Sequence, residues 1–199
     1  MSAAVIEFFW DPASPYTYLA ATQIESLAAR HGATVVWRPF VLGKVFEATG
    51  NRAPATVAAK AKHLFQDVQR WATLYAVPFR FPTIFPINGI SAMRAACAAD
   101  DAGHGGAFAQ AIMKAYWADG ADIAKPDAIA AVAAALGLDG DALLARTAEA
   151  EIKDRLRTNT EEAVKRGAFG APTMFVDGQM FWGNDRLVLL ENHLKARSH

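Results

Sequence analysis

The chain has 199 residues, one cysteine and five histidines, and its lysines plus arginines equal its aspartates plus glutamates at 20 each. That length supports one domain with a substantial core, or one domain carrying a large insertion, and the balanced charge leaves no global field to attract nucleic acid or an anionic membrane. A single cysteine excludes an intrachain disulfide and a CxxC redox pair, and the histidines are scattered without ligand spacing, so no metal site is expected.

No basic leader precedes an apolar segment at the N-terminus, and Glu7 interrupts the one candidate, so a cleaved secretion signal is not expected. The alanine-rich tract at residues 128–138 falls short of the ~20 residues that a membrane-spanning helix needs. A cytoplasmic protein is the expectation.

Val5-Ile6-Glu7-Phe8-Phe9-Trp10 is rich in β-branched and aromatic residues and too short for a helix, so it reads as a buried strand. Asp11-Pro12-Ala13-Ser14-Pro15-Tyr16-Thr17-Tyr18 follows, and the chain is organised around it. Beyond it Tyr16, Leu19, Ala20, Ile24 and Leu27 share one helical face up to Gly32. Ser14 as the cap with Pro15 as first helical residue is ordinary helix punctuation, because serine satisfies an orphan amide and proline has none. The sharper reading places the chemistry at Ser14, where the positive end of a helix leaving a central strand favours an anion such as a thiolate.

Residues 33–38 form a second strand, and strand, helix, strand at this spacing implies parallel pairing through a crossover. Residues 43–54 read as irregular, a candidate cleft wall carrying Lys44, Asn51 and Arg52, with Lys60 just beyond. A helix is expected over residues 56–77, with Leu64, Val68, Trp71 and Tyr75 on one face and Pro78 ending it. Three prolines and three phenylalanines over residues 79–86 suit a largely buried aromatic connector better than a helix or central strand. Helices are then expected at 91–101, 106–117, 127–136 and 140–147, an alanine-rich block with no strand signal inside it. Cys97 shares a face with Ile90 and Met93 and reads as a small core residue.

A further helix, residues 148–166, stops at Gly167. Residues 169–176 lead into a strand, Asp177-Gly178 is a two-residue hairpin turn, and Gln179-Met180-Phe181-Trp182 returns antiparallel. A last helix turns Leu187, Leu190 and Leu194 inward, with Asn184 or Asp185 as its cap.

Strand, helix, strand at the front and helix, hairpin, helix at the back assemble into an α/β thioredoxin-like domain of residues 1–42 and 150–199, with a large all-helical insertion of residues 43–149 between them. Ser14-Pro15-Tyr16-Thr17 stands where disulfide oxidoreductases of this fold carry Cys-Pro-x-Cys, and Gly170-Ala171-Pro172-Thr173 stands at their cis-proline loop. Both cysteine positions are hydroxyls here. With residues 11–18, Gly50-Asn51, residues 167–173 and the run from Trp182 to Leu187, the chain resembles the 2-hydroxychromene-2-carboxylate isomerases, DsbA-like relatives of the kappa-class glutathione transferases.

The resemblance implies glutathione as cofactor, with Ser14 at its sulfur and a cis Pro172 that leaves Ala171 free to pair with the peptide as an added strand. It further implies that Asn184 and Asp185 hold the γ-glutamyl end, that Asn51 and Lys60 serve the other end, and that Trp182 belongs to the same glutathione-binding set. The activity implied is interconversion of 2-hydroxychromene-2-carboxylate and trans-o-hydroxybenzylidenepyruvate by reversible thiolate addition, in a homodimer acting on a small aromatic substrate. Residues 83–88 depart from the naphthalene-pathway isomerases in being more apolar and proline-rich. Trp37, Phe81, Phe85 and Trp117 are candidates for an aromatic pocket or for plain core packing. A kappa-like transferase or peroxidase and a non-catalytic thioredoxin-like binding module remain the alternatives. Ser14 has no histidine or aspartate in sequence placed to activate it as a hydrolase nucleophile.

Overall fold

Strand β1 (Val5–Trp10) sits inside the sheet because Ile6, Phe8, Phe9 and Trp10 are all fully buried and need cover on both faces. The structure is a computed structural model that describes residues 3–197; residues 1–2 and 198–199, the outermost positions of the expected two-segment domain, lie outside the described residues. Crossover helix α1 (Pro15–Arg30) returns the chain to β2 (Thr34–Pro39), parallel to β1. On its other side β1 pairs antiparallel with β3 (Thr173–Val176), which turns back into β4 (Gln179–Trp182). Among the described residues the strand order is β2-β1-β3-β4. Asp177 and Gly178 make the expected tight turn, with φ of +50° and +76°, the left-handed region that such a hairpin demands.

The strand period of two sorts side chains onto two faces. Ile6, Phe8, Trp10, Met174 and Val176 join the larger core with α1 and α9 (Leu187–Arg197). Phe9 and Phe175 point the other way, onto Phe40, Val45, Ala163 and Ala168. That second face is closed by α2 (Leu42–Thr49) and the end of α8 (Ala150–Lys165). Glu7 on this face is bridged by Arg38 at 2.9 Å and Arg166 at 2.7 Å, and the Arg166 guanidinium lies 3.8 Å from the centre of the Phe175 ring. Stacking lets the arginine keep its charge pair while covering an aromatic surface.

Between the two halves run α3 (Ala58–Leu74), α4 (Ile90–Asp100), α5 (Gly105–Trp117), α6 (Pro126–Ala135) and α7 (Gly140–Arg146). The expected helices α4 to α7 are displaced by no more than one residue at either end. In α4 the alanines at 92, 95, 96, 98 and 99 are buried with Met93 and Cys97, small side chains that let neighbouring helices approach closely. Cys97 is the core residue expected, its thiol pushed up to about 12 chiefly by burial. The larger core is continuous from β1 and α1 through this block to Ile152 and Leu156 of α8. No helix of the described residues is long and apolar enough to cross a membrane.

The connector of residues 79–86 is irregular, as its prolines require. Phe79 stacks on Trp117 at 5.6 Å, Phe81 and Phe85 meet the same indole edge-on, and the Trp117 Nε1 donates to the Pro12 carbonyl at 2.8 Å. Trp37 sits edge-on to Phe8 and Trp10. These aromatics are therefore packing that supports the turn before Ser14.

Three sequence expectations need correction. Residues 42–49 are helix, not irregular chain. Its first amides are satisfied from far away, Leu42 N donating to Asp11 Oδ2 at 2.9 Å and Val41 N to Thr160 Oγ1 at 3.0 Å, so no local cap advertises it. The expected helix of residues 56–77 is instead a single 3-10 turn, Pro54–Thr56, followed by α3, which ends at Leu74 before Ala76 takes a φ of +54°. Neither Asn184 nor Asp185 caps the last helix. Gly183 with φ +105° leads into a 3-10 turn, Asn184–Arg186, that runs straight into α9.

Asp11 joins two of these elements. Its carboxylate accepts from Ala13 N at 2.8 Å in the turn before α1 and from Leu42 N at the start of α2. Burial raises its pKa to about 6, against the pull of those two amides. A folded-state pKa above the unfolded one means that the folded state binds the extra proton between about pH 4 and 6, so stability falls as pH rises through that window. We expect urea unfolding to show this loss, on the order of 2–3 kcal/mol in total, in the native chain and not in Asp11→Asn. Parallel pH profiles for the two proteins would rule it out.

Candidate functional site

Ser14 ends the turn that β1 feeds into α1. With extended φ and ψ of −95° and 118° it is the helix cap, its Oγ accepting from Thr17 N at 3.2 Å, and Pro15 follows as the first helical residue. The hydroxyl proton goes elsewhere. Ser14 Oγ donates to the Ala171 carbonyl at 3.1 Å, a contact between residues 157 positions apart. The Ala171–Pro172 bond is cis. Thr17, at the second hydroxyl of the motif, is fully buried and its Oγ1 has no hydrogen-bond partner.

The loop bearing Ala171 is held from several sides. Thr173 Oγ1 donates to the Gly170 carbonyl at 2.8 Å, and Gly183 N donates to the Pro172 carbonyl at 3.0 Å. Asn51 Nδ2 donates to the Phe169 carbonyl at 2.7 Å, so the residue just past α2 reaches the same loop. Trp182 lies over it, with its ring 4.6 Å from that of Phe169 and its Nε1 where a Cβ on Gly170 would fall, at 2.4 Å. Glycine is required at 170 by that close approach.

Asn184 and Asp185 line a cavity of about 240 Å³ with Gln23, Ser26 and Leu27 of α1 and with Trp71 and Tyr75. Asn184 is buried at 3 % exposure, and its Nδ2 has no partner. Tyr75 donates to the Asn184 carbonyl at 3.4 Å. Asp185 pairs with Arg186 and lies near enough to Tyr16 and Tyr75 to disfavour both phenolates. Lys60 is exposed, without an ion-pair partner among the described residues, on the wall of a cavity of about 400 Å³ that it shares with Tyr16, His63 and Leu64.

The structure thus gathers Ser14, Asn51, Ala171, Pro172 and Trp182 into hydrogen-bonded or touching neighbours. Asp185 and Lys60 are related to them through Tyr16, while Asn184 is held apart by Tyr75. Sequence reading missed Tyr16, Tyr75, Phe169 and Asp67, whose Oδ2 accepts from Tyr16 OH at 2.8 Å. Periodicity could assign Asp67 to the polar face of a helix but could not name its partner.

Chemically the arrangement suits an anion with an extended backbone. The N-terminus of α1 offers positive potential, Ser14 a movable hydroxyl proton, and the Ala171 carbonyl an acceptor at the edge of a strand. Hydrolase chemistry at Ser14 is disfavoured, since its Oγ partners are the Thr17 amide and the Ala171 carbonyl, not an imidazole or carboxylate. No group of three or more metal-ligating side chains occurs among the described residues.

Known proteins place the chain. The family model of the DSBA-like thioredoxin domain matches residues 5–195. The 2-hydroxychromene-2-carboxylate isomerase of Sphingobium xenophagum is 37% identical over 95% of this chain and 97% of that protein. Human glutathione S-transferase kappa 1 is 28% identical over 95% of this chain and 90% of its own. A solved structure of 2-hydroxychromene-2-carboxylate isomerase superposes with a TM-score of 0.90 at 29% identity, covering 98% of this chain and 96% of the other. The chain belongs to the DSBA-like thioredoxin domain family and, within it, to the family of the 2-hydroxychromene-2-carboxylate isomerases.

Proposed function

We propose that the chain is a glutathione-dependent isomerase interconverting 2-hydroxychromene-2-carboxylate and trans-o-hydroxybenzylidenepyruvate. The observation that carries this reading is the meeting of Ser14 Oγ, at the N-terminus of α1, with the Ala171 carbonyl, in a site that offers hydroxyls where a redox enzyme needs thiols. The residues fit glutathione. Asn184 Nδ2 is a buried donor still lacking an acceptor, as a ligand carboxylate would provide, and Asp185 beside it suits an ammonium. For the glycyl carboxylate the reading assigns Asn51, which reaches the Phe169 carbonyl, and Lys60, exposed beside Tyr16.

When bound, glutathione supplies a thiol nucleophile whose reversible addition to an activated double bond permits rotation about it without net redox change. The chain's own work is to hold that sulfur as an anion. Ser14 would turn its proton from the Ala171 carbonyl to the sulfur as the peptide's amide takes its place on Ala171. The first-turn amides of α1 add their positive potential. Trp182 and Phe169 keep water from the loop edge by covering it.

A kappa-like transferase is the second reading, favoured by the human relative. It uses the same residues, but the sulfur stays attached to an external electrophile. Following glutathione concentration during turnover separates the two, because isomerisation leaves it unchanged.

Replacing Ser14 by alanine should raise the pKa of bound glutathione, read by thiolate absorbance, by about one unit, or about 1.4 kcal/mol, and lower kcat about tenfold or more. An unchanged thiol titration in Ser14→Ala would refute the assigned role. Asn184→Ala should weaken glutathione binding in calorimetry by about tenfold while leaving the melting temperature near that of the native chain, since the lost Nδ2 makes no bond within the protein. Equal affinity in the two proteins would remove Asn184 from the site.

A further inference from the structure

The first turn of α1 and the start of α3 border an open groove of about 400 Å³ lined by Tyr16, Pro54, Ala59, Lys60, His63 and Leu64. Space of that order takes a molecule of one or two rings. Its width is the separation of α3 from α1, which two kinds of contact determine. Leu64, Val68 and Ala72 of α3 pack on Leu19 of α1. Such apolar contact is non-directional and permits sliding. The Tyr16 OH bond to Asp67 Oδ2 at 2.8 Å is directional, and it stands beside the cavity, not behind it.

Asp67 lies four residues past His63 and seven past Lys60, so all three share the face of α3 turned to Tyr16. Burial, then the carboxylates of Asp67 and Asp185, raise the pKa of the phenol, so its O–H is kept as a donor to the Asp67 carboxyl group. That is a strong hydrogen bond, and it anchors the far end of a side chain two positions from Ser14.

We propose that Asp67 is a positioning residue which, through Tyr16, sets the width of this cavity and so its selection for a flat aromatic ligand. The proposal rests on the reading above only in taking an aromatic acid as the occupant. Tyr16 supplies an aromatic ring, Pro54, Ala59 and Leu64 supply apolar edges, and the directional bond holds the tip of that ring against α3.

The test compares Tyr16→Phe, Asp67→Ala, Asp67→Asn and the double variant Y16F/D67A. Tryptophan quenching by 2-hydroxycinnamate, without turnover, should weaken about tenfold in Tyr16→Phe and in Asp67→Ala. Asp67→Asn keeps an acceptor oxygen and should stay within about threefold of the native chain. The double variant should be no worse than the weaker single, because both remove one bond. With the aromatic substrate the same loss should appear in KM, with kcat within about twofold. Losses that multiply in the double variant, an Asp67→Asn as weak as Asp67→Ala, or a native chain that ignores 2-hydroxycinnamate would each overturn the proposal. A native chain that binds the probe with this variant pattern yet never isomerises the substrate would instead overturn the functional reading alone.

Discussion

Everything at the site depends on the antiparallel register of β1 and β3, in which Glu7 faces Phe175, Phe8 faces Met174 and Phe9 faces Thr173. That pairing sets the carboxyl end of β1 beside the amino end of β3. The turn to Ser14 leaves from the first and the loop through Ala171 enters the second, so their contact follows from the ladder. A slip by one residue would carry Phe9 and Phe175 to the wrong faces and expose the Glu7 charge cluster to the larger core. Two differently composed cores therefore protect the register. A large mixed core of aliphatic, alanine and aromatic side chains fills one face, while a small cluster around Phe9, Phe40 and Phe175 under two arginines fills the other.

Much of this was legible in the amino-acid order because the signals are local. The apolar run before Asp11, the Ser14-Pro15 cap and the Asp177-Gly178 turn each specify backbone conformation within a few residues. What could not be read were features whose cause lies elsewhere in the chain. Helix α2 has no cap of its own, because Asp11 and Thr160 satisfy its first amides. Asn184 looks like a cap by residue type, yet Gly183 sets the local backbone and the asparagine amide is left buried and unspent. In the candidate site, the meeting of Ser14 with the Ala171 loop was legible from the two motifs. The second ring of contacts, from Asp67 to Tyr16 and from Asn51 to Phe169, joins positions 51 and 118 residues apart and has no sequence signature.

The placement of Cys97 sharpens what kind of thioredoxin-like protein this is. A resident thiol exists, but it lies in α4 at 2 % exposure with its pKa raised to about 12, the opposite of what a nucleophile needs. Meanwhile the helix end that could activate a thiol carries Ser14 and Thr17. The fold has kept the electrostatics of a thiolate site while its own sulfur is buried elsewhere. Under the proposed reading such a site takes its sulfur from a ligand, which is why glutathione is the cofactor proposed.

Asp11 shows how side-chain to backbone hydrogen bonds keep the same turn in place. One buried carboxylate receives amides from the turn before α1 and from the start of α2, and α2 in turn delivers Asn51 to the loop at Phe169. Ser14 closes the circuit by reaching Ala171 in that loop. Each link is a backbone group paired with one side chain, so the position of the hydroxyl is set by bonds that leave its own proton free to change partners. Exchange at Ala171 then costs little, because one acceptor is traded for another while the cap bond from Thr17 N holds the oxygen where it is. A donor that can turn without moving is what a site needs if an anion is to be stabilised only once it has arrived.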